Sequence, residues 1–443
     1  MDKKTIVWKV VCSLLILAAA ILLLSGVLNG NTMYHLANRG ELGPLTRDDI
    51  QYVTVDAPAG TAKDGTVSAK DWESVFPYIA RSMQANADND SVTDYLEQDP
   101  YLANLYEGFG FAKDYGSARG HAFCLTDVGK TLRPHALANC LTCKTSNFAK
   151  LVNDEGVAAY KYTFDEAMDR MEENVSCYTC HGNDAGKEGQ ITLTHSYVGK
   201  ALGANTDSIS ASTLTCGQCH IEYYFTVSDA ETMMPYDSVE AMTPEAILAY
   251  YDSIENKDGE QGFYDWIQPS TGTQMLKAQH PELETYLTGK HAVLGMSCAD
   301  CHMAIVQEED GTIYHSHYID SPLNDEVLLS TCVQCHGETD MADFVHKLQA
   351  RITARETDVG NKLSAFKDAL AEAVEAAAEG APGAKTADEL DAIRKLYREA
   401  QWFFDFDYVE NAEGAHNSEL ATRCLDTAES RIAAGMELLG IEN

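Results

Sequence analysis

Residues 138–147 read ANCLTCKTSN, a Cys-x-x-Cys pair followed by a lysine, Lys144. Four further pairs are each followed by a histidine: Cys177/Cys180 by His181, Cys216/Cys219 by His220, Cys298/Cys301 by His302 and Cys332/Cys335 by His336. Together with Cys140/Cys143 they use ten of thirteen cysteines, a pattern that random placement does not produce.

Three chemistries use paired cysteines. A disulfide framework has no need of a histidine beside the second cysteine. Structural zinc takes four ligands from paired knuckles, and a histidine adjacent to a cysteine rarely reaches the same ion as that cysteine. Covalent c-type haem uses every feature: two cysteines one helical turn apart share a face and bond one edge of the macrocycle, while the next residue swings beneath the iron. Five haems also supply the filler for a chain of 443 residues with only 9% aromatic content. The expected fold is therefore mainly α, packed around five covalent haems.

A haem that only passes electrons keeps two strong ligands, because unchanged coordination keeps reorganisation small. Four histidine motifs then call for four more histidines, and the chain holds fourteen in all. Lysine is an odd choice for such a wire. It ligates only as the neutral amine, so iron must displace a proton from a group with a free pKa of about 10.4. That ligand suits a haem whose opposite face stays open for substrate.

The formal net charge of −36 repels phosphate backbones and excludes nucleic acid as a partner. At the N-terminus, Lys3, Lys4 and Lys9 precede an apolar run from Val10 to Leu28 with no small-x-small cleavage site after it. The expectation is an uncleaved membrane anchor or signal segment over 1–29, holding the body on the extracytoplasmic side. A pentahaem catalytic core is expected over 30–340 and a helical region over 341–443. In the latter, Phe344, Leu348 and Ile352, then Leu363, Phe366, Leu370 and Val374, recur at helical spacing. Gly380-Ala381-Pro382-Gly383 breaks that stripe. Thr386 and Glu389 make a capping-box pattern for a second helix carrying Leu390, Ile393, Leu396 and Tyr397.

ARGHAF (118–123), TLRP (131–134), NCLTCK (139–144), CGQCHIEYY (216–224), LKAQHPE (276–282), GKHAVLGMSCADCH (289–302) and HNSEL (416–420) carry a resemblance. With one lysine motif ahead of four histidine motifs, the chain resembles the pentahaem cytochrome c nitrite reductases, the ammonia-forming family. The resemblance implies that Lys144 ligates the active-site haem and that Arg133, Tyr223 and His280 line its open face. It implies His317, His121, His416 and His291 as distal ligands of the haems at Cys177, Cys216, Cys298 and Cys332. It also implies one calcium ion held by Glu222, Tyr223, Lys277 and Gln279. Glu222 offers a carboxylate, Gln279 an amide oxygen, and Tyr223 and Lys277 their carbonyls, an all-oxygen set suited to a hard cation. The implied substrate is nitrite, the implied electron donor a membrane multihaem quinol dehydrogenase, and the implied assembly a homodimer through the C-terminal helices.

Other readings stay open at this point. His315, two residues before His317, competes for the same iron. His35, His135, His195 and His346 read as structural or surface residues, Cys12 as a lipid-facing one, and Cys124 and Cys424 as buried thiols or a disulfide. For the whole chain the alternatives are an electron-transfer cytochrome without substrate chemistry and a hydroxylamine-converting multihaem enzyme.

Overall fold

The computed structural model describes residues 45–88, 90–134, 136–187, 190–337 and 340–441. It is 54% helix and 6% strand, as the mainly α expectation requires. The chain divides into two units. One comprises Met1–Gln51 and Ile305–His315; its described part is a short 3-10 turn, Arg47–Asp49, and an antiparallel hairpin pairing Ile305 with His315, Val306 with Tyr314 and Gln307 with Ile313. The other comprises Tyr52–Ala304 and Ser316–Asn443 and holds all five cysteine motifs.

Within the larger unit the helices over the motif region are short, and three of them end on the histidine of a motif. Cys177–His181 and Cys298–His302 are single-turn helices made of the motif itself. Glu326–His336 ends on the last motif's histidine, with Gly337 at φ 68° turning the chain away. A residue at i, another at i+3 and a third at i+4 share one helical face, so in each of these three the two cysteines and the histidine point the same way. Two small hairpins, Tyr224–Phe225 with Thr232–Met233 and Trp266–Ile267 with Gln274–Met275, link the motif region to the segment 276–282.

Three long helices follow: Met341–Ala378, Ala387–Tyr408 and Ser418–Leu439. The first starts at Asp340, whose side chain accepts from the Asp343 N–H, and buries Ile352, Glu356, Val359, Gly360, Leu363, Phe366, Lys367 and Leu370. Phe344, expected on the buried stripe, is instead half exposed; it sits in the first turn, before the stripe meets its partners. The second helix begins at the capping box of Thr386 and Glu389. The third was not marked by the spacing argument above. It packs on both others, pinned by Arg355 to Asp426 and Glu429 and by Arg431 to Glu399. Close approach requires small residues here: a Cβ on Gly435 would collide with the Phe366 ring, and one on Gly360 with Tyr101.

One apolar cluster takes in the Tyr101–Leu105 helix, Trp266, Met275 and Leu283 together with Phe366, Tyr397, Trp402 and Phe404 of the long helices. Polar groups at its edge join its parts: the Trp402 indole donates to the Pro244 carbonyl over 2.8 Å, and Tyr106 donates to Asp405 Oδ1 over 2.8 Å. This packing carries the segments bearing Lys277, His280 and Glu282, so the long helices form the floor on which that part of the site is built.

The membrane anchor expected over 1–29 is corrected. Among the described residues no helix is long and apolar enough to cross a membrane, so the anchored localisation loses its support; residues 1–29, with Cys12, lie outside the described residues, as do His35 and His135.

Candidate haem and calcium centres

Each of the four motif histidines faces a second imidazole. Ring centroids are 6.2 Å apart for His121 and His220, 6.4 Å for His181 and His317, 6.1 Å for His302 and His416, and 6.2 Å for His291 and His336. A metal bonded to one nitrogen of each ring at about 2 Å, with each nitrogen about 1 Å from its ring centre, gives the same separation. The residues therefore fit iron between paired imidazoles. His181 is opposed by His317, two residues beyond His315.

The local sequence holds these rings in place. His317 donates its backbone N–H to Ser82 Oγ (2.9 Å), and its carbonyl accepts from Asn86 Nδ2 (2.7 Å). The far side of several rings is also engaged. His181 Nδ1 meets the Gln190 carbonyl at 2.5 Å, His302 Nδ1 meets the Asp320 carbonyl at 2.9 Å, and His416 Nδ1 meets Glu410 Oε1 at 2.5 Å. Such partners fix which nitrogen is left to face a metal.

Cysteines of different motifs adjoin one another. The Cys143 thiol lies close enough to that of Cys219, and Cys216 to Cys298, for each to shift the other's titration. Cys301 lies near enough to Cys332 to feel its charge. Among the motif cysteines Cys335 is exposed, whereas the other nine are partly buried. The reason is its place in the fold. Cys332, a turn earlier on the helix Glu326–His336, is the member of the pair whose charge reaches Cys301. Cys335 stands in the last turn of that helix, where Val333 and His336 are exposed as well.

Cys124 and Cys424 are separate thiols, which closes the disulfide alternative. Cys124 donates to the carbonyls of Lys144 (3.0 Å) and His121 (3.2 Å), and Cys424 is buried in the helical core. His195 is buried, stacked on Tyr197, with Nε2 3.7 Å from Cys219 Sγ.

The surroundings of Lys144 differ from those of the histidine motifs. Lys144 is half-buried in the turn after Cys143. Arg133 acts electrostatically on Cys140 and Tyr223, Tyr223 feels the charges of Cys143 and Cys140, and Lys144 acts on His280. Burial, with Lys144, Lys277 and His220 nearby, lowers the His280 pKa to about 4 against the opposing pull of Glu282. Burial raises the Tyr223 phenol well above its ordinary value. Near neutral pH the site thus presents a neutral imidazole and a protonated phenol beside a guanidinium. Glu282, which sequence reasoning did not single out, sits between two rings: Oε1 is 3.8 Å from His220 Nδ1 and 3.9 Å from His280 Nδ1, and it accepts from Asn411 Nδ2. Its signal was present in HPE (280–282), two residues after His280.

The proposed calcium ligands come from two segments brought together by hydrogen bonds. Glu222 Oε2 accepts from the Gln279 backbone N–H (2.6 Å), and Oε1 accepts from the Tyr251 hydroxyl (2.7 Å). The Gln279 side-chain amide meets the Lys277 carbonyl at 2.8 Å. Glu222 is almost fully buried, and burial raises its carboxyl well above the usual range. Burial likewise raises Glu284 to about 7 and Asp265 to about 6, and Glu284 Oε2 has no hydrogen-bond partner. These oxygens have the chemistry a hard cation takes, while among the described residues no group of three or more His, Cys, Asp or Glu is gathered closely enough to hold a metal ion.

The family model for cytochrome c552 matches residues 68–440. Among solved structures, the chain is similar to a cytochrome c nitrite reductase from Desulfovibrio desulfuricans, at 27% identity over 86% of this chain and 87% of that one, with a TM-score of 0.74. That structure is described by the two calcium sites of its catalytic subunit. Weaker likenesses run to the outer cell wall cytochrome OcwA (18% identity, 71% and 48% covered, TM-score 0.41) and to an undecahaem cytochrome from the S-layer of Carboxydothermus ferrireducens (16%, 72% and 41%, 0.38).

Proposed function

This chain belongs to the cytochrome c552 family, and from that membership we propose that its multihaem nitrite reduction runs to ammonium at the Lys144 motif, fed by four bis-histidine haems. The observation that carries the reading is an asymmetry: four motif histidines face a second imidazole ring, whereas the groups gathered about Lys144 are Arg133, Tyr223 and His280.

Haem attached at Cys140 and Cys143 would supply an iron that takes nitrite and passes it electrons. Lys144 would be the ligand below, binding as the neutral amine. Arg133 would set its guanidinium against the nitrite oxygens, where negative charge must be held as an N–O bond breaks. Tyr223, whose phenol keeps its proton at neutral pH, would donate a hydrogen bond to the same oxygens. His280, neutral for the same reason of burial, would pass protons from one ring nitrogen while accepting on the other. Reduction from nitrite to ammonium takes six electrons, so a reservoir beside the site keeps partly reduced nitrogen from leaving. The adjoining thiols of Cys143 and Cys219, then Cys216 and Cys298, then Cys301 and Cys332 support an electron route from motif to motif in that order. With Cys335 exposed, the far end of that route would meet the solvent, where a donor can reach it.

Glu222 and Gln279, with the Tyr223 and Lys277 carbonyls, would hold calcium. Tyr223 is itself a site residue and Gln279 precedes His280, so one ion would tie two site segments together. By the family pattern a membrane multihaem quinol dehydrogenase supplies the electrons, and two copies pair through the C-terminal helices.

The deciding experiment is an anaerobic assay with a reduced dye and nitrite that quantifies ammonium, run on wild type, Lys144→His, Arg133→Ala and His280→Ala proteins with five haems per chain. Each variant should lose turnover. Full turnover by Lys144→His removes the special role of the lysine, and full turnover by Arg133→Ala or His280→Ala removes that residue from the chemistry.

A further inference from the structure

Arg133 lies only seven residues before Cys140, which leaves little chain to aim a guanidinium over the haem attached there. The structure meets this constraint from another segment. The 3-10 turn Gly110–Ala112 lies against Arg133 along its length. The side-chain stem packs on Gly110: a Cβ there would stand 3.4 Å from both Cβ and Cγ of Arg133 and 3.3 Å from Pro134 Cδ. The guanidinium carbon stands over the Phe111 ring, 4.3 Å from its centroid. Arg133 Nε donates to Thr131 Oγ1 (3.0 Å), and Thr131 in turn donates to Asp114 Oδ2 (2.5 Å).

The same ring takes a second cation. Lys277 Nζ stands 4.7 Å from the Phe111 centroid and 5.2 Å from that of Tyr115, and donates to the Ala278 carbonyl at 2.9 Å. Phe111 is itself fixed, edge-on to Tyr115 at 4.9 Å and beside Phe109 at 5.4 Å. An aromatic face attracts a cation more strongly where water is excluded, so a rigid ring beneath two cations sets where both can sit.

We infer that Phe111 is the positioning residue of the nitrite pocket: its ring orients Arg133 and, through Lys277, ties that arginine to the calcium-binding segment 277–279. This rests on the role given to Arg133 above. Phe111 touches no substrate; it acts through the guanidinium it carries. Leucine at 111 keeps the bulk and removes the π face, so the guanidinium loses its seat. Tyrosine keeps the face.

The test uses the five-haem protein with Phe111→Leu and Phe111→Tyr, each made in the wild-type and Arg133→Ala backgrounds. Two quantities are read: KM and kcat for nitrite, and the Kd for nitrite on the oxidised protein, followed by its optical spectrum without turnover. Phe111→Leu should raise KM and Kd about ten-fold, the scale of a desolvated cation–ring contact, with a smaller change in kcat. Phe111→Tyr should restore both, and in the Arg133→Ala background Phe111→Leu should add nothing. Unchanged Kd in Phe111→Leu, or an equal loss in both backgrounds, overturns the inference. If Arg133→Ala alone matches wild type, the role assigned to the arginine falls and this inference with it; if Arg133→Ala is impaired and Phe111→Leu is not, only this inference falls. Should Phe111→Leu fail to retain its haems, Phe111→Met, which also fills the space without a π face, is read by the same two quantities and the same criteria.

Discussion

The His416 ring stands 6.1 Å from the His302 ring, the two planes crossed at 73°. The motif histidine ends a single-turn helix and its partner lies in the loop before the last long helix. A metal atom bonded to both rings would hold them at this separation, which supports the two imidazoles as the proposed axial pair of the haem at Cys298 and Cys301.

From that relationship, His416→Ala should convert one low-spin haem to high-spin while five haems remain attached, read by electron paramagnetic resonance of the oxidised protein. Glu410→Gln should leave the haem low-spin and raise its midpoint potential, because the carboxylate 2.5 Å from His416 Nδ1 makes the imidazole a stronger donor and favours the ferric state. A low-spin His416→Ala protein would show that iron takes its sixth ligand elsewhere.

Glu222 is the sole carboxylate among the four proposed calcium ligands, so Glu222→Gln should weaken calcium binding about 10- to 100-fold. Metal analysis after dialysis against a graded chelator reads this directly. Chelation of the wild type should depress turnover and calcium should restore it. Wild-type calcium content in the Glu222→Gln protein would place the ion elsewhere.

At the interface of two long helices, Gly435→Ala puts a methyl group into the Phe366 ring. Both residues are on regular helix, so backbone relief is small, and the expected loss is about 1–3 kcal/mol in stability. Denaturant unfolding measures it. Phe366→Leu in the same protein should recover part of the loss by vacating the space.

Asp71 offers a pH test. Burial raises its carboxyl, but hydrogen bonds from the Ser68 and Thr61 backbone N–H groups and hydroxyls together outweigh that and lower it from 3.8 to about 2. A folded pKa below the unfolded one gives stability that is complete above about pH 4 and lost as pH falls through about 2. Asp71→Asn should therefore destabilise the protein at pH 5 and converge on wild type near pH 2, read by thermal melts at each pH. Equal melting temperatures at pH 5 would deny the carboxylate any net contribution.

Much of this molecule is legible without coordinates because its decisive signals are local. Five cysteine pairs at fixed spacing announce the cofactor, and Thr386 with Glu389 announces the start of a helix. The resemblance implied which distant histidines to set opposite the motif histidines, and those rings are the ones found about 6 Å apart. The helix Ser418–Leu439 lies in the expected helical region but is not marked singly by spacing, because its buried face includes Ala421, Ala428 and Gly435, small residues that give a weak periodic signal. Glu282 and Phe111 were overlooked for a different reason. A glutamate gains importance only when His220 and His280 arrive on either side, and a phenylalanine only when Arg133 and Lys277 come to rest over its face. Spacing could not tell Cys335 from the nine other motif cysteines either, since exposure depends on what packs against a motif and not on the motif itself. Cys124 and Cys424 stay apart because one is taken up by the Lys144 and His121 carbonyls and the other by the helical core.

The opposed imidazoles also bear on how the polypeptide matures. In the proposed pairing four of the five haems would be bonded to a short motif and also hold a histidine from another part of the chain, closing loops from His121 to His220, His181 to His317, His291 to His336 and His302 to His416. A closed loop deprives the denatured ensemble of disorder, and lengthening it adds to that effect only slowly. Iron would then act as a set of reversible staples, and the rate at which the protein regains its native form after denaturation would be governed by the exchange of wrongly captured histidines.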